Sequence, residues 1–347
     1  MALESSLLSH HASSLDISMI RRRFLATALA GLPVATGLTL PGPARAAPLP
    51  MTLPKPPRDA RTPILVVNGA AQHTAIPNFR SFEDIAAAAK TRGIDDSGLQ
   101  YLAVSGSAQF TASAWRRMRN ESRLTGTFTV VDLRQESHGF LDSHAVTWLA
   151  TDNWANVGMT REQAMSAEVR RLHDLSRLHQ VTPPTIEDYR HRGIRKGPEL
   201  PVHHVAGEAA LVSQSDARYV RLTVTDHLRP TDADVDRVVL MAMNRLSHQM
   251  LHFHCLDGTG RTTTFMAMMD MLANAHQVSF DAILARQAAV PPYTDLTDLR
   301  LKDGKDGPYT PYYRERLAFL RSFHAFATAR RHGERRRWTK WAADGGA

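Results

Sequence analysis

The segment Met250-Leu-His-Phe-His-Cys255-Leu-Asp-Gly-Thr-Gly-Arg261-Thr-Thr-Thr-Phe265 decides how the rest of the chain is read. Met250 to His254 predicts a short strand. Cys255 to Gly260, with two glycines, predicts a loop, and the long apolar run from Arg261 to Asn274 predicts a helix. A strand that feeds such a loop into a helix makes backbone N–H groups converge. N–H groups at a helix N-terminus bind anions, aided by the helix dipole, and glycines let the loop curl into a nest around one site. The loop opens on Cys255, the chain's single cysteine, and closes on Arg261. An arginine there can grip phosphate oxygens in a bidentate fork. The field that holds an anion also favours a thiolate, and a thiolate beneath a phosphoryl-shaped cradle is a nucleophile for phosphoryl transfer. Leu256, Asp257, Gly258, Thr259 and Gly260 are then the candidate cradle for substrate.

Rhodaneses and arsenate reductases also place a cysteine in an anion-binding loop. His254 before the cysteine, the two glycines within the loop and Thr262 after it narrow the choice. The competing reading is a buried free cysteine in a glycine-containing loop. Expelling an alkoxide calls for a proton donor, and a positioned acid contributes roughly 10²–10⁴-fold. Asp226, in Thr225-Asp-His227 after the predicted strand Tyr219–Thr225, is the candidate; its other reading is a cap before the helix at Asp232.

Elsewhere the pattern alternates strands with helices and argues for an α/β layered domain. Strands are predicted at Ile64–Val67, Tyr101–Val104 and Phe128–Leu133. Helices are predicted at Ser81–Lys90, Phe110–Asn120, 160–180, Asp232–Ser247, Phe280–Gln287 and Tyr312–Arg331. Residues 181–215 are rich in Pro, Gly and Arg and read as irregular, the place for an insertion or small subdomain.

The chain has 347 residues, 43% hydrophobic and 22% charged, a composition of a globular and not a disordered protein. One cysteine excludes an intrachain disulfide, an all-cysteine zinc site and an iron–sulfur cluster. The formal charge is +8, which suggests a polyanionic partner. Its placement says more. Arg21, Arg22, Arg23 and Arg45 against Glu4 and Asp16 give residues 1–47 a net +2. Six Lys and Arg against Glu334 and Asp344 give residues 330–347 a net +4, which leaves +2 for residues 48–329. Residues 1–47 read as an export signal that is cleaved: Arg21-Arg-Arg-Phe-Leu25, an apolar run to Leu40, and the small-residue exit Ala44-Arg-Ala46. The arginines before Phe24-Leu25 resemble a twin-arginine signal, which predicts a periplasmic or secreted protein with no stable membrane association after cleavage. Met19 is an alternative start. Residues 48–63 form a Pro-rich lead-in, residues 64–330 the main domain, and residues 331–347 a basic tail that reads as solvated. No motif or aromatic interleaving supports nucleic-acid binding by that tail.

Several separated blocks resemble the protein-tyrosine-phosphatase-like inositol polyphosphatases, or cysteine phytases. They are Pro77-Asn-Phe-Arg80, Ser105-Gly-Ser-Ala-Gln-Phe110, Val131-Asp-Leu-Arg-Gln-Glu-Ser-His138-Gly-Phe140, Thr225-Asp-His227 and His254-Cys-x5-Arg261-Thr-Thr-Thr-Phe-Met266, within residues 64–330. The resemblance implies a phosphatase α/β core, a central sheet flanked by helices, beside a small β-rich partial barrel that takes in parts of residues 139–218. It implies Cys255 as nucleophile, Asp226 as general acid and Arg261 as phosphate clamp. It also implies that Thr262 hydrogen-bonds the sulfur, and that Arg80, Asp132 and His227 contact substrate or organise the pocket. The substrate implied is a phosphorylated inositol, with no cofactor, no metal and no nucleic acid.

Two departures bear on substrate. Asp257 puts a carboxylate where the family carries a small or neutral residue, which weakens anion binding unless it points away or pairs with a cation. Lys302-Asp-Gly-Lys305-Asp offers lysines each followed by aspartate, so Lys305 is a candidate phosphate contact or part of a solvated turn. The rival readings are a tyrosine or dual-specificity protein phosphatase and a non-catalytic phosphoinositide-binding module.

Overall fold

A computed structural model describes residues 51–120, 128–244 and 249–346. The export segment and the Met19 start lie outside the described residues, as does the end of the helix predicted to reach Ser247. The described chain opens with β1 (Ile64–Gly69) and β2 (Arg80–Ser81), then α1 (Phe82–Thr91), β3 (Val104–Ser107) and α2 (Ala112–Asn120). Next come β4 (Phe128–Arg134), the hairpin of β5 (His138–Leu141) and β6 (His144–Leu149), and α3 (Arg161–Ser176). Short elements follow: β7 (Gln180–Val181), α4 (Ile186–Arg192), β8 (Leu200–Pro201), β9 (Val205–Ala206) and α5 (Glu208–Ser213). The last third holds β10 (Ala217–Val224), α6 (Asp232–Asn244), β11 (Met250–His254), α7 (Gly260–Asn274), α8 (Phe280–Gln287), α9 (Thr310–Arg331) and α10 (Trp338–Ala343).

A five-stranded sheet of order β10-β4-β11-β3-β2 forms the centre. Its first four strands are parallel and only β2 runs antiparallel. Parallel sheets are covered on both faces, which is why β4 reads Phe-Thr-Val-Val-Asp-Leu-Arg with every residue buried. On one side α7, itself buried on nearly every face, packs with α8 and α9 through Phe253, Phe265, Met268 and Phe323. On the other, Phe110, Trp115, Phe128, Phe140 and Val212 form a second cluster. Beside this core, β1, β6, β5 and β9 pair antiparallel in a four-stranded sheet, with β7 and β8 as a separate pair. This is the α/β core with a small β-rich companion that the resemblance implied.

Local chemistry explains the boundaries. Ser81 caps α1 through a capping box with Asp84, and Thr160 caps α3 in the same way with Gln163. Three readings of the sequence differ from the structure. Tyr101 closes a 3-10 turn, Leu99–Tyr101, and the strand starts only at Val104. The hairpin of β5 and β6 is real although no strand was read there; Asp142, at φ +52°, makes its turn. The basic tail is docked, not solvated. Trp338 and Trp341 are each 3% exposed, and Trp338 packs edge-on against Phe319 and Phe326. Its indole Nε1 donates to Asp232 Oδ1 at 2.9 Å. The tail's charge hid two apolar anchors, and part of that charge is matched internally by Arg336 with Glu334 and Lys340 with Asp344.

Candidate active site

The carboxyl ends of parallel strands are where open α/β sheets bind ligands. Cys255 follows β11, Glu136 lies just beyond β4, and Asp226 lies just beyond β10. The loop from Cys255 to Thr259 is braced from outside itself. Gln109 N donates to Leu256 O at 3.1 Å, and Asn78 Nδ2 donates to Asp257 O at 2.8 Å. The Leu256 side chain is buried with Val66 and Leu149, so only its backbone can serve an anion. Gly258 sits at φ +69°, and a Cβ there would lie 2.4 Å from Ala108 N, so no other residue fits without moving the backbone beneath it.

Cys255 is 3% exposed, and Thr262 Oγ1 lies 3.2 Å from its Sγ as donor. Arg261 is held in a fixed fork. Its Nη1 donates to Glu136 Oε2 at 2.8 Å and its Nη2 to Glu136 Oε1 at 3.1 Å, while Asp226 Oδ2 lies 3.2 Å from Nη2. Burial disfavours the Arg261 charge, but Asp226, Glu136 and Cys255 outweigh it and keep the guanidinium protonated well above its ordinary value. Burial likewise pushes the Glu136 carboxyl up, and Arg261 and Arg134 overcome this to hold it far below the usual range.

Asp226 accepts from Asn153 Nδ2 at 3.0 Å and from the His227 N–H at 3.0 Å. Burial raises the Asp226 carboxyl, yet Arg261 and then His227 bring it below its ordinary value. His227 itself adopts φ +69°. Its ring stacks on Tyr309 at 4.2 Å, and its Nδ1 meets Tyr313 Oη at 2.8 Å. Burial leads the lowering of its proton affinity, which favours the neutral ring.

Asp226, His227, Thr259 and Gly260 line a cavity of about 610 Å³, with Arg190, Arg195, Arg300 and Arg316 among its other walls. The remaining sequence candidates fall in three places. Arg80, 2% exposed, lies behind the loop: its Nη2 donates to Thr263 Oγ1 at 2.8 Å and its Nη1 to Asn78 O at 3.0 Å. It braces the loop and adds charge near Cys255, and burial lowers its pKa to about 10. Asp132 is not at the pocket. It is fully buried among Tyr219, His138 and Arg221, with Tyr219 Oη donating at 2.6 Å, because its side chain leaves the interior of β4 and not its end. Lys305 is exposed in a tight turn with Lys302 and does not line the cavity. The carboxylate of Asp257 pairs with Arg190 at 3.4 Å.

Sequence reading missed four parts of the site. Glu136 lies two residues past β4, where nothing in the local sequence marks it. Asn153 sits in a 3-10 turn with no periodic signal. Arg316 lies three positions after Tyr313 on α9, one helical turn on, a spacing that could have placed both on the pocket. It is 4% exposed, stacks on the Tyr313 ring at 4.7 Å, and has no hydrogen-bond or ion-pair partner among the described residues. Glu208 on α5 meets His254 Nε2 at 2.6 Å, so that histidine is tied to a carboxylate. Asp132, His138 and Glu208 bring three potential ligand atoms within 4.8 Å of one another; Arg221, Tyr219 and His254 already engage those carboxylates. Among the described residues, no helix is long and apolar enough to cross a membrane.

Residues 131–273, which include Glu136, Asp226, Cys255 and Arg261, match the protein-tyrosine-phosphatase-like phytase family model, described by inositol hexakisphosphate. Effector protein hopD2 of Pseudomonas syringae pv. tomato is 29% identical over 276 residues, covering 78% of this chain and 58% of that protein. Among solved structures, a phosphatase of this kind from Mitsuokella multacida, in complex with myo-inositol-(1,3,4,5)-tetrakisphosphate, superimposes with a TM-score of 0.73 at 29% identity. The match covers 85% of this chain and 49% of that one, so the chain spans about half to three fifths of these two relatives. A phytase from Bdellovibrio bacteriovorus superimposes with a TM-score of 0.67 at 32% identity over 85% of this chain. Because that last match is 32% identical and takes in 99% of the Bdellovibrio protein, the chain belongs to the protein-tyrosine-phosphatase-like phytase family.

Proposed function

We propose that this protein is a cysteine-dependent phosphomonoesterase that removes phosphate from inositol polyphosphates. Cys255 attacks phosphorus in line: the S–P bond forms, the P–O bond to the ring breaks, and Asp226 gives its proton to the departing oxygen. Arg261 and the loop N–H groups stabilise the equatorial oxygens of the transferring group. Water then attacks phosphorus with Asp226 as base, the S–P bond breaks, and inorganic phosphate leaves. The Thr262 hydroxyl, 3.2 Å from the sulfur, stabilises it as leaving group in this second step. The chemistry calls on no metal, and a chelator should leave the rate unchanged.

The observation that carries this reading is Arg316, a buried cation with no ion-pair partner among the described residues, on the cavity that Asp226 and the phosphate loop share. Arg195 and Arg300 line the same cavity, Arg300 paired with Asp298 at 3.6 Å, and Asp152, Asp295 and Asp298 share its walls, so it is Arg316, beside the phosphate loop, that a second phosphate of the substrate would meet. The relative solved with a bound inositol tetrakisphosphate supports the same substrate class. The test is phosphate release from inositol hexakisphosphate and from a phosphotyrosine peptide by wild type and Cys255→Ser. Wild type should prefer the inositol phosphate and Cys255→Ser should be inactive with an unchanged circular dichroism spectrum. Turnover by Cys255→Ser would refute the mechanism, and preference for the peptide would refute the substrate class.

Export through residues 1–47 belongs to the same proposal, supported by the similarity to a protein named an effector. Lysines in place of Arg21, Arg22 and Arg23 should retain a fused, folded reporter in the cytoplasm.

A further inference from the structure

The two ends of the phosphate loop carry opposite charge. Near its start, the Asp257 side chain is 49% exposed on the cavity and its carboxylate pairs with Arg190 of α4 at 3.4 Å. The Asn78 amide pins the Asp257 carbonyl at 2.8 Å, which fixes where that carboxylate emerges. At the loop's other end, Gly260 lies against Arg316: a Cβ there would be 3.0 Å from Arg316 Nη1. The Arg190 contact is long and both its partners are well exposed, so it offsets the Asp257 charge only in part, while the other end carries a cation with no partner among the described residues.

We infer that Asp257 sets the register in which a polyphosphorylated ring is accepted. With the scissile phosphate over Cys255, a neighbouring phosphate is received at the Arg316 end and refused at the Asp257 end. At the Asp257 end a ring hydroxyl fits instead, since it can donate to the carboxylate where a phosphate would meet a like charge. The enzyme therefore favours inositol polyphosphates that carry a free hydroxyl beside the scissile phosphate over the fully phosphorylated ring. This inference rests on the inositol polyphosphatase reading above.

The experiment compares kcat/KM for inositol hexakisphosphate, an inositol tetrakisphosphate and p-nitrophenyl phosphate in wild type, Asp257→Asn and Arg190→Gln. Asp257→Asn removes one like charge at a partly solvated site and frees Arg190. It should raise the ratio of hexakisphosphate to p-nitrophenyl phosphate activity by about tenfold, and that of the tetrakisphosphate by less. Arg190→Gln leaves the carboxylate uncompensated and should lower the hexakisphosphate ratio. The isomer of the first product from hexakisphosphate, read by ion chromatography, should change in Asp257→Asn. Equal changes on all three substrates, or none, would overturn the register and leave the substrate class standing. Wild type inactive on every inositol phosphate but active on p-nitrophenyl phosphate would overturn both.

Discussion

Asp226 Oδ2 lies 3.2 Å from Arg261 Nη2, so the proposed acid and the proposed phosphate clamp are paired with each other. A phosphate dianion competes for the same guanidinium. Once Arg261 is engaged by phosphate it stabilises the Asp226 carboxylate less, and the proton affinity of Asp226 rises when a donor is needed. Because Asp226 is held below its ordinary value by Arg261, the alkaline limb of kcat should lie at higher pH than that of kcat/KM. Asp226→Asn should lower kcat on an inositol phosphate by roughly 10²–10⁴-fold, and much less on p-nitrophenyl phosphate, whose leaving group needs little protonation. Steady-state rates across pH on both substrates check this.

Glu136 orients the clamp by accepting from both Arg261 terminal nitrogens. Breaking one side of a buried ion pair typically costs about 3–5 kcal/mol. Glu136→Ala should therefore lower Tm and weaken inhibition by inorganic phosphate. Unchanged phosphate inhibition would show that Arg261 keeps its fork without this partner.

Arg316 is a buried charge with no ion-pair partner among the described residues, and burial lowers its pKa to about 10 although Tyr313 and Asp226 act the other way. Replacing it with an apolar side chain of similar length removes that desolvation cost. Arg316→Met should raise Tm while raising KM for inositol hexakisphosphate at least tenfold, an opposition of stability and function expected at a binding site. A fall in both Tm and KM would contradict the assignment.

The buried network behind the loop makes stability depend on pH. Burial and Arg134 push the His138 proton affinity down, but Asp132 and Glu168 outweigh them and raise its pKa to about 9, from an ordinary 6.5. Its contribution is complete below about 6.5 and is lost as pH rises through about 9. Burial raises Glu208 while His254 and His138 lower it, to about 2 from an ordinary 4.5. That contribution is complete above about 4.5 and is lost as pH falls through about 2. Burial holds the His252 ring neutral down to about 3 from an ordinary 6.5, so Tm should also decline as pH falls below about 6.5; it should fall on the alkaline side through His138, and His138→Gln should flatten that alkaline slope.

The docked carboxyl terminus predicts its own weakness. Trp338 packs among Phe319, Phe323, Phe326 and Trp341. Trp338→Ala should cost about 3–5 kcal/mol in urea unfolding, the usual penalty for removing a buried tryptophan side chain. A solvated tail would show less than about 0.5 kcal/mol.

What the sequence made legible follows from how local each signal is. The cysteine loop, its helix and the strand before it are contiguous, and they fold as read because Gly258, Thr262 and the apolar run after Arg261 all act within a few residues. Ser81 likewise announced α1 through a cap that reaches only to Asp84. Glu136, Asn153 and Arg316 were not legible because their meaning lies in a partner far along the chain. An acidic residue two positions after a strand is ordinary until Arg261 is seen beside it. Asp132 failed for the converse reason: its block matched, but a side chain on the interior of β4 points into the sheet's buried network and not off its end. The tail misled because five cations outweighed two tryptophans in composition, whereas burial is decided by the tryptophans.

The site is assembled from positions as distant as Arg80 and Arg316, with the loop latched from outside by Asn78 and Gln109. No stretch of the chain holds its shape there unaided. In a urea titration, turnover should trace the same sigmoid as the near-ultraviolet signal of the buried tryptophans, which makes the enzyme a reporter of its own folding.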